Sequence, residues 1–425
     1  MVQEQLFSLA LGLVPPWLVD RVSFSVEEKR LDLYIDFPRG SRFACPVCGR
    51  ECPVHDTVES QWRHLDFFQH AAYLHARVPR VKCPEHGVHQ VPVPWAREGS
   101  GFTLLFEALL MTLVREMPVR AVARLVQEHD TRIWRVIDHY VTQARQRVDM
   151  AGVRAVGLDE TSNRRGHDYI TLFVDLSAKR LLFATPGKDA HTLQAFAEDL
   201  KAHGGDPQAI EEVSMDLSPA FQKGVSNHLP KARITFDRFH LTKLVNEAVD
   251  QVRRLEALSQ PDLKKTRWIW LKNPDHLKAT QREQLDGLKD RNLKTALAYR
   301  MRLTFQEIFT VQNRHQGASL LKAWMELAKE SGLPPMVKVA YTIMNHWDGI
   351  LRWFESHITN GILEGFNSLL QSAKSKARGY RTRKNFINMA SYWVSWISSY
   401  PLEIARSQVT VHQSAYLVAP KVIYH

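Results

Sequence analysis

The stretch from about residue 153 to residue 237 constrains the fold most strongly, because its pattern alternates between strand and helix in a fixed order. Three apolar runs separated by turns come first: VRAVGLDE, YITLFVDL and RLLFATP. A helical segment over about 191–203 follows, then a strand VSMD, a short helix from about residue 219, and a strand ARITFD. Apolar runs of this length between turns and helical patterns predict strands of one sheet.

The predicted order is strand, strand, strand, helix, strand, helix, strand, which is the topology of the ribonuclease-H fold. In that topology the fourth strand lies parallel to the first and beside it. Asp159 lies at the end of the first strand and Asp216 at the end of the fourth, so we expect their carboxylates side by side. Glu364 lies on a later helix, at the border of its apolar stripe, and is the third candidate.

Three converging carboxylates suit hard divalent cations, because Mg²⁺ prefers oxygen ligands. Two ions about 3.5–4 Å apart can clamp the attacking and leaving oxygens of an in-line phosphoryl displacement. We therefore predict a catalytic triad of Asp159, Asp216 and Glu364 that binds two Mg²⁺ ions, with Mn²⁺ as a possible substitute. Asp237, at the end of the fifth strand, is the main rival for the second position, and we expect Glu160 to point to the opposite face.

Two short motifs with metal-ligand spacing precede this region. Cys45 and Cys48 form one pair and Cys83 and His86 the other, each pair followed at once by glycine. Together they offer the four N and S ligands of a closed, tetrahedral structural Zn²⁺ site. The alternative is four unrelated buried residues, and Cys52 lies outside the spacing.

The segment from Pro118 to Val141 has the length and punctuation of a helix-turn-helix. In its second helix Arg132, Arg135 and His139 share one face, which could enter the major groove of DNA. An ordinary surface helix can carry such charges too. The net charge of +11 also favours a polyanionic partner, although solubility alone would explain it.

A basic run continues the helix of Glu364 and predicts contacts with DNA phosphates. Its members are Lys374, Lys376, Arg378 and Arg381. The alternative is a solvated helix end, where cations complement the helix dipole. Residues 240–358 show no convincing strand and are expected to be helical. Within them Trp268 and Trp270 are either core residues, which we favour, or rings that receive an unstacked base.

The chain resembles insertion-sequence transposases of the ISL3 family, within the DDE superfamily. The matching stretches are Trp62-Arg-His-Leu-Asp66, Pro79-Arg-Val-Lys-Cys-Pro-Glu-His-Gly87, Val93-Pro-Trp-Ala96, Asp216-Leu-Ser-Pro-Ala-Phe221, Phe236-Asp-Arg-Phe-His240 and Ile362-Leu-Glu-Gly-Phe-Asn367. His86 stands where many relatives carry a second cysteine, and histidine ligates zinc equally well. The resemblance also marks Asp237 and His240 as an Asp-x-x-His element, serving either a buried hydrogen bond or the chemistry.

The resemblance implies an enzyme that binds the terminal inverted repeats of its element and cuts and joins double-stranded DNA, including a target. Because joining two ends needs at least two protomers, we expect a homodimer or larger assembly on DNA. We expect no membrane span, because the sequence has no run of 18 or more apolar residues, and a cytoplasmic, nucleoid-associated bacterial protein. The rival function is that of a non-catalytic repressor derived from a transposase, which would tend to lose a carboxylate or the insertion. A cellular nuclease of the ribonuclease-H type is a weaker alternative, because it would not need two DNA-binding modules.

The expected architecture is a multidomain α/β chain with a ribonuclease-H-like core, an all-helical insertion, and zinc and helix-turn-helix modules before them. The expected segments are a β-rich zinc-binding module (1–97), a helix-turn-helix domain (98–150), the first part of the core (151–240), the helical insertion (241–358) and the last part of the core (359–425).

Overall fold

The computed structural model describes residues 3–164, 166, 168–311, 313–358 and 360–394. Contacts divide the chain into two units, of which the described parts are residues 3–144 and residues 145–394. Among the described residues, every helix is too short or too polar to cross a lipid bilayer.

The first unit opens with helix α1 (Gln3–Ala10) and a six-stranded sheet. Its strands are β1 (Leu18–Ser25), β2 (Arg30–Asp36), β3 (Arg42–Ala44), β4 (Glu51–Arg63), β5 (Ala71–Cys83) and β6 (Gly87–Gln90). The spatial order is β1-β2-β5-β4-β3, with β6 paired to β5. Every second residue of β2, from Leu31 to Ile35, is buried, which is the alternation expected of a sheet with one face on a core. Strands β1 and β2 are antiparallel and form a hairpin.

Three helices complete the first unit: α2 (Leu104–Glu116), α3 (Val119–Leu125) and α4 (Asp130–Gln146). The Thr103 side chain caps α2 by accepting a hydrogen bond from the Phe106 N–H. Pro118 precedes α3, where its missing N–H costs nothing. Val122, Ile133 and Ile137 are fully buried between the helices. The helix–turn–helix elements predicted from the sequence are therefore present.

The second unit is built on a five-stranded sheet. Its elements in chain order are β7 (Ala155–Arg164), β8 (Asp168–Asp175), β9 (Arg180–Pro186), α5 (Ala190–Ala202), β10 (Glu212–Met215), α6 (Pro219–His228) and β11 (Arg233–Phe236). The spatial order is β11-β10-β7-β8-β9. Strand β10 is parallel to both β7 and β11, whereas β7, β8 and β9 form an antiparallel meander. This is the order of elements that the sequence predicts.

Helices fill the chain between β11 and the last two helices. They are α7 (Arg238–Glu256), α8 (Arg267–Leu271), α9 (Ala279–Lys289), α10 (Lys294–Ile308), α11 (Arg314–Glu330), α12 (Pro334–Asn345), α13 (Trp347–Leu351) and α14 (Trp353–Ser356). Helix α13 packs closely on β11, since a Cβ on Gly349 would lie 2.6 Å from the Phe236 ring. Trp270 is buried and donates to the Thr266 hydroxyl, as its interpretation as a core residue predicts, whereas Trp268 is 55% exposed.

Helices α15 (Gly361–Lys376) and α16 (Arg383–Val394) end the described chain. Helix α15 approaches β7 at Gly157, where an added Cβ would lie 2.5 Å from a Leu363 methyl group. Only glycine allows this close approach, which fixes the start of α15 against the strand that carries Asp159.

Candidate active site and metal centre

The registers of the parallel strands bring three aspartates to one level. Gly157 on β7 pairs with Ser214 on β10, and the last pair between β10 and β11 is Met215 with Phe236. Two residues beyond Gly157 is Asp159, and Asp216 and Asp237 directly follow β10 and β11. The three aspartates therefore occupy matching positions on neighbouring strands, at the carboxyl ends of β10 and β11.

Strand β7 continues beyond this level. We expected Asp159 to end the strand, but β7 remains paired with β8 as far as Arg164, while β10 pairs only with residues up to Gly157. Asp159 thus lies in the middle of a strand whose one neighbour has already ended. The resulting gap in the sheet exposes one side of the strand to the loop after β10.

Helix α15 brings Glu364 to the same region by a series of contacts along β7. Asn360 donates to the Leu158 carbonyl, and the Asn367 amide donates to Asp159 Oδ2 over 2.7 Å. Further along, Gln371 donates to the Thr161 hydroxyl over 2.7 Å. Because these contacts follow one strand in order, they fix the rotation of the helix and with it the direction of Glu364.

The pKa shifts of the carboxylates indicate that these groups lie close to one another. Burial raises the pKa of Asp159 above its ordinary value, and the charges of Asp216 and Asp237 raise it further. Burial also raises the pKa of Glu364, and the charge of Asp237 is the next largest cause. Carboxylates that destabilise one another's charge in this way favour a bound cation.

Glu160 belongs to the same electrostatic environment, which the sequence prediction missed. Burial raises its pKa to about 7, and the nearby charge of Asp216 adds to the increase while Lys188 opposes it. Strand alternation alone predicted that Glu160 would be separated from the cluster. The early end of β10 removes that separation, because Asp216 then lies at the border between the two faces of β7.

Asp237 and His240 form a pair at the start of α7. Asp237 is 3% exposed, and its Oδ2 lies 3.1 Å from His240 Nδ1. This hydrogen bond is the main cause that raises the pKa of His240, and the charges of Asp159 and Asp216 also contribute. Asp216, by contrast, accepts a hydrogen bond from the Ser218 backbone N–H over 2.9 Å. Asp237 is therefore already matched with a basic partner inside the protein.

The four predicted zinc ligands meet in the first unit. The ligand atoms of Cys45, Cys48, Cys83 and His86 all lie within 4.8 Å of one another. The Sγ atoms of Cys48 and Cys83 are 3.7 Å apart, and Cys83 Sγ lies 3.5 Å from His86 Nδ1. Tetrahedral zinc with ordinary bond lengths requires about 3.8 Å and about 3.6 Å for these distances. The residues therefore fit a structural Zn²⁺ ion, with Nδ1 as the ligand atom of the histidine.

The backbone turns after each pair of proposed zinc ligands, at a glycine with a positive φ angle. Gly49 and Gly87 follow the two pairs and have φ angles of 74° and 80°, in the left-handed region that favours glycine. The Gly49 N–H donates to the Cys45 carbonyl over 2.8 Å and closes the first turn. Cys52 is buried nearby but lies outside the group of four, in agreement with its spacing.

The predicted recognition helix α4 exposes only part of its basic face. Arg135 is exposed. Arg132 pairs with Glu128 over 2.6 Å and lies over the Phe102 ring, 4.1 Å from its centroid. His139 is half-buried, and burial lowers its pKa. The Arg132 and His139 side chains are thus partly buried against the first unit, and Arg135 is the exposed member of the predicted face.

The residues of the basic run after Glu364 also differ in their exposure to solvent. Lys376, Arg378 and Arg381 are exposed. Lys374 is half-buried and donates to the Ser162 carbonyl, so it fastens α15 to β7. Arg378 and Gly379, with φ angles of 56° and 89°, turn the chain away from the end of α15.

Comparisons with known proteins agree across both units. Residues 41–86 match the zinc finger of the transposases of IS204, IS1001, IS1096 and IS1165, and residues 91–141 match the helix-turn-helix domain of transposase family ISL3. Residues 156–390 match the ISL3-type DDE family, described as a transposase.

Among individual proteins, the chain is 28% identical over 377 residues to the transposase for insertion sequence element IS1557 of Mycobacterium tuberculosis. That alignment covers 81% of this chain and 84% of the relative. It is 27% identical over 380 residues to the transposase for IS1001 of Bordetella parapertussis, covering 87% and 93%. A solved structure, the Drosophila P element transposase strand transfer complex, matches with a TM-score of 0.39 and 14% identity over 71% of this chain and 95% of that chain.

The family match over 156–390 spans more than half of the chain and contains the aspartates, the helical segment and Glu364. Together with the zinc-finger and helix-turn-helix matches, it establishes that the chain belongs to the ISL3 family of insertion-sequence transposases.

Proposed function

We propose that this transposase cuts the ends of its insertion sequence and joins them to target DNA by metal-dependent in-line phosphoryl transfer. The five-stranded sheet of the second unit would be a ribonuclease-H-like core, and α7 to α14 a helical insertion in it. The single observation that carries the proposal is the convergence of carboxylates from β7, from the end of β10 and from α15.

Asp159, Asp216 and Glu364 are the proposed ligands of the catalytic Mg²⁺ or Mn²⁺ ions. All their donor atoms are carboxylate oxygens, which suit these hard cations. When bound, two such ions would activate the attacking water or 3′-hydroxyl and stabilise the leaving oxygen. Asp216 is preferred to Asp237 because Asp237 is already hydrogen-bonded to His240.

The remaining side chains support these ligands. Asn367 orients the Asp159 carboxylate through its 2.7 Å hydrogen bond. His240, whose pKa is raised by its hydrogen bond with Asp237, lies beside three aspartates, Asp159, Asp216 and Asp237, and its protonated form limits their mutual repulsion. Such partners keep a metal-binding carboxylate in one rotamer.

DNA binding is proposed for the two N-terminal modules and for the basic run. Arg135 on α4 would read or contact the terminal inverted repeats, and the zinc ion would hold the β-rich module in shape. Lys376, Arg378 and Arg381 would contact phosphates without reading sequence. Pairing of two ends requires at least two protomers on the DNA.

A plasmid that carries both ends of the element tests the proposal directly. Purified protein with Mg²⁺ should nick or linearise the plasmid at the element's ends, and a chelator should stop cleavage. A plasmid with scrambled ends serves as the control. Specific binding to the ends without cleavage under any divalent metal would favour a repressor instead.

A further inference from the structure

A cavity opens beside the proposed catalytic carboxylates in the second unit. It has a volume of about 420 Å³. Its lining combines charged side chains, amides and aromatic rings: Asp237, Arg238, Glu364, Asn273, Gln306, Phe239 and Phe309, together with Thr242 and Gly361. Sites for small organic ligands have volumes of roughly 300–1,000 Å³, so one nucleotide can be accommodated.

Phe239 is an unusual wall for such a cavity. It lies in the first turn of α7, two residues after Asp237, and is 54% exposed. Phe309, which also lines the cavity, is 4% exposed and stacks on Phe354 with an interplanar angle of 7°. Phe309 therefore belongs to the core, whereas Phe239 presents a ring that the fold itself does not bury. An exposed aromatic ring beside a nucleic-acid active site can stack on a base.

Hydrogen bonds orient two amide side chains of the lining, those of Asn273 and Gln306. Asn273 Oδ1 accepts from Arg302 over 3.0 Å and from Gln306 Nε2 over 3.3 Å. Arg302 is 1% exposed and is itself held by Asn246 over 2.6 Å. With its oxygen engaged twice, Asn273 keeps its N–H₂ group for a ligand, and Gln306 keeps its carbonyl oxygen. Within the described residues, no protein acceptor meets that N–H₂ group.

We propose that this cavity receives one nucleobase of the DNA strand next to the scissile phosphate, unstacked from the duplex. Phe239 stacks on the base, and the amides of Asn273 and Gln306 pair with its polar edge. The aromatic ring and the neutral amide donor and acceptor suit a base, and Arg238, which also lines the cavity, suits the phosphate joined to that base. The proposal rests on the proposed function, since Asp237 and Glu364 place the cavity next to the cleaved bond.

The test combines a protein change with a DNA change. Duplexes containing one element end are made with a single abasic site at each of the three positions on either side of the scissile phosphate. Cleavage rates of the wild-type chain and Phe239→Ala are compared on every duplex. On intact DNA the variant should be slower by about tenfold or more, because the stacking contribution is lost. At one abasic position the two proteins should cleave equally fast, because no base remains to be stacked.

Controls keep the outcome decisive. Tyr341→Ala removes another half-exposed aromatic ring from the same unit, away from the cavity, and should behave as wild type on every duplex. Phe239→Leu keeps the apolar side chain without the ring and replaces Phe239→Ala if that variant does not fold. An unchanged ratio of wild-type to variant rates at all six abasic positions, or no defect on intact DNA, would overturn the base site. Absence of cleavage by the wild-type chain on intact DNA would instead count against the proposed function.

Discussion

Asn367 illustrates a contact that the sequence could not predict. It lies one turn after Glu364 on α15 and donates to Asp159, 208 residues earlier in the chain. Its amide oxygen is buried and has no hydrogen-bond partner among the described residues. Motif reasoning could place both carboxylates, because each lies in a recognisable strand or helix. The link between them depends on how closely α15 approaches β7, which follows from packing at Gly157.

We predict that Asn367→Ala lowers the rate of strand cleavage by about 10- to 100-fold, the usual cost of losing a group that orients a metal ligand. The concentration of Mg²⁺ needed for half-maximal cleavage should rise in the same variant. Ser368→Ala, at the exposed neighbouring position, is the matched control. A variant that loses activity without any change in Mg²⁺ dependence would contradict the positioning role.

His64 provides a pH-dependent prediction for the first unit. Burial lowers its pKa to about 4, and its Nδ1 lies 2.9 Å from the Thr103 hydroxyl that caps α2. An unfolded chain has a histidine pKa of about 6.5. Between these values the unfolded state binds more protons than the folded state, so the free energy of unfolding falls as the pH falls. The contribution is fully present above pH about 6.5 and is lost towards pH about 4.

The expected loss is about 3 kcal/mol over that range, from a pKa difference of about 2.5 units. Denaturant unfolding of the wild type and of His64→Gln should be compared at several pH values. Their difference isolates His64 from the protonation of the zinc ligands, which affects both proteins. Equal pH dependence in the two proteins would show that His64 does not cause the effect.

The basic residues also show that contacts between distant segments could not be predicted from the sequence. Spacing on a helix correctly assigned Arg132 and Lys374 to their helices. It could not predict that Arg132 would lie over Phe102 or that Lys374 would donate to Ser162, because both partners come from other segments. A basic side chain must be exposed to contact DNA. The sequence therefore predicted the exposure of Arg135 correctly but not the partial burial of Arg132 and Lys374.

At the scale of elements, the close contact between β7 and α15 is the feature on which the site depends. The apolar pattern predicts α15, but Leu369, which has the helical spacing of the apolar stripe, is 42% exposed. Leu363, Leu370 and Ala373 are the members of that stripe that are buried. The buried face is narrower than the pattern implied, because α15 lies on the sheet along one side only.

We predict that Gly157→Ala destabilises the second unit, because the new Cβ would lie 2.5 Å from Leu363 and 2.8 Å from Leu176. Overpacking of this kind costs about 1–3 kcal/mol, and the shift of α15 should also reduce cleavage. Gly365→Ala is the matched change on α15, where an added Cβ meets nothing within 4 Å. That variant should be neutral or more stable by up to about 1 kcal/mol. Equal thermal stability of the two variants would contradict the packing argument.

The zinc pairs were predictable because ligand spacing and the following glycines are local features. We predict that Cys83→Ser loses the bound Zn²⁺ and weakens specific binding to the element's ends. Cys52→Ser, which removes a buried thiol outside the group of four, should retain the metal. Metal analysis of the purified proteins, followed by binding to an end-containing duplex, checks both expectations. Stoichiometric zinc in Cys83→Ser would refute the assignment.

At the scale of the whole molecule, the sequence predicted the order of the elements better than their packing. The order of strands in the second unit follows from apolar runs of the right length with helices at the right places. The cavity next to Glu364 could not be predicted, because it depends on the relative positions of α7, α10 and the chain after α8. The same is true of Glu160, whose environment depends on where β10 ends.

The most direct test compares strand cleavage at the element's ends by Asp159→Ala, Asp216→Ala, Glu364→Gln and Asp237→Ala, with end binding measured in parallel. The first three changes should each lower the cleavage rate by about a thousandfold or more and leave binding nearly intact, because they remove metal ligands. Asp237→Ala should retain more activity than Asp216→Ala. Full activity in Asp216→Ala with loss in Asp237→Ala would reverse the second position, and cleavage retained by Asp159→Ala or Glu364→Gln would contradict the catalytic site itself.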